Sequence, residues 1–244
     1  RGGGRVQIRA GELLLNGDLH ANGQTGGGDY TSGGSGGGIL LEVGTLSGGG
    51  SLQANGGNPF NTGSQGGGSG GGGRIAIYYE EDTAFAPQRI EAAGGTRNGV
   101  GGAGTIYVQC VGAGDALIVD NLGAWASELS PTPFECVGGR PVNVTLIGGA
   151  RAEMTATQET VFTSVTLSNA TATVAGELAG PELNVTLRGN ALISHHAGDS
   201  NGVMIAAQTL DVGSGAAIDV SGKGMLPLSA CTGRSGGSYG GRGY

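Results

Sequence analysis

Three histidines, one acidic run and three cysteines hold most of the reactive side chains in this sequence. His195 and His196 are adjacent, and neighbours on a strand point to opposite faces, so they cannot chelate one ion together. His20 stands apart, and the chain has neither an HExxH nor a CxxC pairing, so no metal and no cofactor is expected. The acidic run Glu80-Glu81-Asp82, beside Tyr78 and Tyr79, reads as a solvated bulge that interrupts a strand. It does not have the convergent carboxylates that calcium binding or acid–base work requires. Asp29, in "GGGDY", lacks the regular glycine-Asp nonapeptides of calcium-binding β-rolls. A Ser-His-Asp set is specified by nothing in the spacing. No catalytic residue is therefore expected. Thr155/Thr157 and Thr171/Thr173 form two TxT stretches, a pattern that binds ice when repeated on a flat face; with two occurrences they read as strand-favouring residues on a solvated face.

The remaining candidate chemistry is covalent modification. Asn143 (NVT), Asn169 (NAT) and Asn184 (NVT) are glycosylation sequons. Asn143 and Asn184 both sit in "NVTL", 41 residues apart, and would project outward if Val144 and Leu146 point inward. Cys110 and Cys136 are the candidate disulfide pair, with three buried thiols as the competing reading. Cys231 is the candidate for an intermolecular thiol.

Whole-chain properties narrow the partners. The net charge is −7 and no basic stripe occurs, so nucleic acid is not an expected partner. No apolar run approaches the roughly 20 residues of a membrane span, so no insertion by this segment is expected. The text opens at Arg1 inside a glycine block and closes in another, which reads as an excerpt of a longer chain.

The elements that carry these residues are set by repetition. Residues 6–23 align without a gap on residues 39–56, matching Leu19 to Leu52 and "ANG" to "ANG". Weaker echoes occupy residues 74–94 and 203–222. A tighter repeat places "VTL" at 144–146, 165–167 and 185–187. Apolar residues alternate within each stretch and glycines cut the stretches short, which is the pattern of brief strands. Periods of this length, about eight in number, predict an all-β parallel β-solenoid with long glycine-rich loops. Long coils are expected over 1–130, shorter coils over 131–200, and a return to long glycine-rich coils over 201–244, in one continuous stack. In "LxANG" the leucine should point inward, Asn-Gly should supply a left-handed bend, and Asn22 and Asn55 should stack as an amide ladder. The glycine runs admit two readings: surface loops, or segments stacked in polyproline-II-like packing.

The stretches "GGGILLEVGTLSGGGSLQANGG", "GGGGRIAIYY" and "IDVSGKGMLPLSACTGRSGGSYGGRGY" resemble the glycine-rich β-solenoid repeats of large cell-surface and appendage proteins of plants, protists and some bacteria. The resemblance covers residues 1–130 and 200–244 and is weaker between them. It implies an extracellular or cell-surface location and a structural role, and it brings no catalytic residues. The expectation is a rod or filament segment, mastigoneme-like or a cell-wall fibre, that associates with itself head to tail or laterally and carries N-glycans. An adhesin or carbohydrate-binding module is the alternative, to be marked by aromatics along one face. A carbohydrate-active enzyme would require a groove with clustered carboxylates.

Overall fold

The computed structural model describes residues 1–61, 67–85, 89–111, 114–136, 140–157 and 159–224. Among them every regular element is a β-strand, nineteen in all. Three long-strand, short-strand units come first: β1 (Arg5–Leu14) with β2 (Asp18–His20), β3 (Gly38–Gly48) with β4 (Ser51–Gln53), and β5 (Arg74–Phe85) with β6 (Arg89–Glu91). A hairpin follows, β7 (Thr105–Cys110) and β8 (Asp115–Asp120). Shorter units complete the chain: β9 (Thr132–Cys136), β10 (Pro141–Ile147), β11 (Arg151–Ala156), β12 (Val161–Ser168), β13 (Thr171–Ala175), β14 (Glu177–Ala179), β15 (Asn184–Arg188), β16 (Leu192–Ser194), β17 (Met204–Ala206), β18 (Thr209–Val212) and β19 (Ala217–Ile218).

The strands form a nine-stranded sheet, β1-β3-β5-β7-β8-β10-β12-β15-β18, and a five-stranded sheet, β9-β11-β13-β16-β19. A three-stranded sheet, β2-β4-β6, and a two-stranded sheet, β14-β17, complete the set. The gapless echo in the sequence is the pairing register. Val6 lies beside Ile39, Ile8 beside Leu41, Leu13 beside Leu46 and Leu19 beside Leu52. The three "VTL" stretches are also in register, Val144 beside Val165 and Val165 beside Val185. Parallel stacking brings like residues over like, so apolar columns form. Ile39, Leu41, Leu46 and Leu52 are almost or wholly buried, as are Val144, Leu146, Val165 and Leu167. Burying each such side chain contributes roughly 1.5–3 kcal/mol, which suits a chain with so few aromatics.

One pairing departs from the all-parallel expectation. β7 and β8 run antiparallel, with Ile106 opposite Ile118 and Tyr107 opposite Leu117. Four residues separate the two strands, too few for a parallel crossover, which needs a dozen or more, and the strands pair as a hairpin instead. The reversal has a structural consequence. Paired residues share a face, and successive residues alternate. Ile106 and Ile118 pack into a core with Ile39, Leu41 and Ile75, whereas Tyr107 and Leu117 pack into a core with Val144, Leu146 and Phe162. The two cores therefore lie on opposite faces of the same nine-stranded sheet. Parallel crossovers keep one hand, so reversing the strand direction while the sheet keeps growing moves the returning chain to the other face.

Candidate functional site

The glycine-rich segments lie outside the strands, yet their amides are hydrogen-bonded with a period of three. Gly33 and Gly36 donate to the carbonyls of Gly68 and Gly71 in the next repeat, at 3.0 and 2.9 Å. Gly34 and Gly37 donate within their own repeat to Gln24 and Ala21, at 2.9 and 2.6 Å. The pattern recurs when Gly70 and Gly73 donate to Gly57 and Ala54, and again when Gly101 and Gly104 donate to Gly95 and Ala92. Bonds to one neighbour at every third residue mean three residues per turn, the geometry of a polyproline-II helix. Each arm thus joins its counterpart in the next repeat and the returning arm of its own repeat. Of the two readings of the glycine runs, stacking is the one found across these segments.

Close approach is the reason for glycine here. A Cβ on Gly34 would sit 1.8 Å from the Arg1 carbonyl oxygen, one on Gly72 would sit 1.9 Å from that of Ala92, and one on Gly104 would sit 1.8 Å from that of Gly73. The expected left-handed bend at "ANG" is not found: Asn22, Gly23, Asn55 and Gly56 are not among the residues with positive φ. Gly23 and Gly56 are required instead because a Cβ would meet the carbonyl oxygens of Gly34 and Gly70 at 2.0 and 2.1 Å.

The expected amide-to-amide ladder is also replaced. Asn22 Oδ1 accepts from the backbone N–H of Asn55 at 2.7 Å, and Asn55 Oδ1 accepts from that of Ala93 at 2.8 Å. At each bend the backbone amide turns out of the sheet and would lack a partner, so the asparagine of the preceding repeat supplies one. Sequence reasoning missed a third clamp, Asn121, which is fully buried. Its Oδ1 accepts from Gly94 N–H at 2.8 Å, and its Nδ2 donates to the carbonyls of Ala124 at 2.7 Å and Gly101 at 3.1 Å. An asparagine closing the alternating stretch "ALIVDN" was the available signal. Asn121→Ala strands these groups in the interior and should cost about 2–3 kcal/mol, read as a lowered urea midpoint with an unchanged slope.

The sequence-predicted residues do not gather. His195 is buried with Nδ1 at 2.8 Å from the His196 carbonyl, while His196 Nε2 lies 3.9 Å from Glu153. His20 is exposed on β2. Among the described residues no group of three or more His, Cys, Asp or Glu side chains is placed to hold a metal. β5 continues through Glu80-Glu81-Asp82 instead of being interrupted; the partner register shifts between Leu46 and Gly48. The TxT stretches form no threonine column, since Thr155 pairs with Ala175 and Thr173 with Glu153. Asn169 and Asn184 are exposed, whereas Asn143 is half-buried and its Oδ1 accepts from Ser164 at 2.8 Å. Ser164 separates Asn143 and Asn184 in one column, two strands apart as the repeat implied. Cys110 is a free, partly buried thiol. The side chain of Cys136 and all of Cys231 lie outside the described residues, and the expected pairing and intermolecular thiol fall there.

One polar cluster stands where the cores change sides. Asp115 is almost wholly buried. Its Oδ2 accepts from the Tyr107 hydroxyl at 2.5 Å, and its Oδ1 accepts from Arg140 Nε at 3.0 Å. Burial pushes the Tyr107 phenol well above its usual range, and the bond to Asp115 and its charge push further the same way. Tyr78 leans on Tyr107 with ring centroids 5.6 Å apart and planes tilted by 55°. Together with Phe134, Glu135 and Thr105, these residues line an open cleft of about 390 Å³.

Comparison of the chain with family models, curated proteins and solved structures gives no match.

Proposed function

We propose that the chain forms a parallel β-solenoid that serves as a structural rod outside the cell and associates end to end with further copies. The observation that carries this reading is the state of the apolar columns at the two edges of the nine-stranded sheet. In the column Val144, Val165, Val185, Leu210 the first three are fully buried, but Leu210 is 49% exposed. Val212 is 43% exposed where its neighbour Leu187 is fully buried. At the other edge, Val6 and Ile8 are partly buried beside the buried Ile39 and Leu41. Among the described residues, columns cut in this way present strand edges without a partner strand together with apolar surface, which natural repeat proteins cap or continue. A head-to-tail contact between unlike ends generates an open filament. The resemblance to cell-surface glycine-rich repeats supports the extracellular placement and the structural role.

Electron microscopy and sedimentation of the purified protein over a wide concentration range test the assembly. Fibres or head-to-tail oligomers are expected, and Leu210→Lys should shift the population toward monomer. A monodisperse monomer at every concentration sinks the reading. Expression through a eukaryotic secretory route tests the glycans: Asn184 and Asn169 should be occupied. Asn143, which is half-buried where the other two are exposed, should be occupied less. Site mapping that finds all three bare removes the glycan claim.

A further inference from the structure

We propose that the cleft between the two cores binds a neutral pyranose ring of an oligosaccharide, a role that goes beyond the structural rod. The reversal of strand direction creates the site. Across β1, β3 and β5 the outer face of the nine-stranded sheet is solvent-facing, but from β8 onward that face is covered by the second core. Tyr107 and Tyr78 stand where the covering begins, on the step between open sheet and packed core. Phe134, on the first strand of the five-stranded sheet, faces them across the cleft.

The lining fits a sugar better than other ligand classes. The cleft volume of about 390 Å³ falls within the roughly 300–1,000 Å³ of small-molecule sites. Tyr78 is 37% exposed and offers an aromatic face, which suits the C–H face of a sugar ring. The Asp115–Arg140 pair is neutral in sum, and Glu135 leaves the lining with one net negative charge. Arg140 neutralises the buried Asp115 through one edge of its guanidinium, and its side chain is otherwise 53% exposed. The pair presents the exposed N–H groups of Arg140 as charged donors to sugar hydroxyls. An anionic ligand would meet Glu135, Asp115 and the chain's net charge of −7. A cation would meet aromatic faces but also Arg140. Asp115, bonded through both oxygens, holds Tyr107 and Arg140 in place, and the exposed part of Arg140 is what a ligand meets.

Saturation-transfer NMR and calorimetry with cellotetraose, laminaritetraose and mannotetraose test the proposal, with tetragalacturonate as the anionic probe and choline as the cationic one. At least one neutral tetrasaccharide should bind, and Tyr78→Ala should weaken it by roughly tenfold or more. Tyr78 also packs on Tyr107, so Tyr78→Ala should lower the melting temperature somewhat, and its binding is read at a temperature where circular dichroism shows both proteins fully folded. Arg140→Met should also weaken binding. Signal from none of the neutral probes, from a charged probe alone, or undiminished in folded Tyr78→Ala overturns the proposal. Loss of filaments in Leu210→Lys with sugar binding intact would separate this site from the rod.

Discussion

Gly104→Ala is expected to destabilise the protein by about 3 kcal/mol or more, while Gly68→Ala leaves it unchanged or slightly more stable. The two glycines sit on neighbouring arms of the same lattice. A methyl at Gly104 would lie 1.8 Å from the Gly73 carbonyl oxygen, with the rest of the Gly72–Gly73 peptide behind it, whereas one at Gly68 meets nothing within 4 Å. Neither residue has positive φ, so backbone preference does not separate them. Space does. The Gly73 carbonyl is also the acceptor for Thr105 N–H, so pushing the arms apart breaks the entry into β7 as well as the arm contact. Urea titration of both variants decides the matter. Equal midpoints would mean that the arms separate freely and that the lattice contributes no stability.

Leu52→Asp should be the most damaging single change among the strand residues, at about 3–5 kcal/mol near neutral pH. Leu52 is fully buried and lies in a column between Leu19 and Ile90. No cation lies in that column to pair with a carboxylate. Desolvation would raise the folded-state pKa of the new aspartate above its unfolded value of about 3.9. The unfolded state would then give up the proton first, so the penalty is full above the raised pKa and shrinks as pH falls toward the unfolded value. Thermal melts from pH 7 down to pH 4 should therefore narrow the gap to wild type. A variant that melts with the wild type at pH 7 would show that position 52 does not face the interior.

The strand columns are legible in the sequence because parallel stacking writes each contact twice in the same words. Leu19 over Leu52 and Val144 over Val165 stand out as repeats of the amino-acid text alone. The antiparallel pairing of β7 and β8 is less visible. Alternation marks which residues share a face but carries no sign of strand direction, and Ile106 and Ile118 alternate equally well in either sense. A link of four residues is the one clue, being short enough for a hairpin and too short for a crossover. The change of core face follows from that turn and cannot be read without it. Glycine's part in "ANG" is hidden for a different reason. Asn-Gly is a strong left-handed turn signal, but Gly23 and Gly56 answer to a neighbouring stretch of chain that no local pattern identifies. The cleft is equally hidden, because Tyr78, Tyr107, Asp115 and Arg140 are brought together by the reversal and by no local spacing.

The threefold winding of the glycine arms also governs how this sequence can change in length. Adding one residue within an arm turns everything beyond it by a third of a revolution, so each N–H that met a carbonyl now points between neighbours. Adding three restores the phase. The first two repeats differ by that step: Ile39 lies beside Val6, 33 residues back, and Ile75 lies beside Ile39, 36 residues back, whereas Ile106 lies beside Ile75, only 31 residues back. Between the outgoing and returning arms, Gln24 and Gly34 bond across ten residues in the first repeat, and Gly57 and Gly70 across thirteen in the second. In the third repeat Gly95 and Gly101 bond across only six residues, so the tip where the chain reverses takes other steps; within a single arm, extensions of three residues should be absorbed where single-residue ones are not.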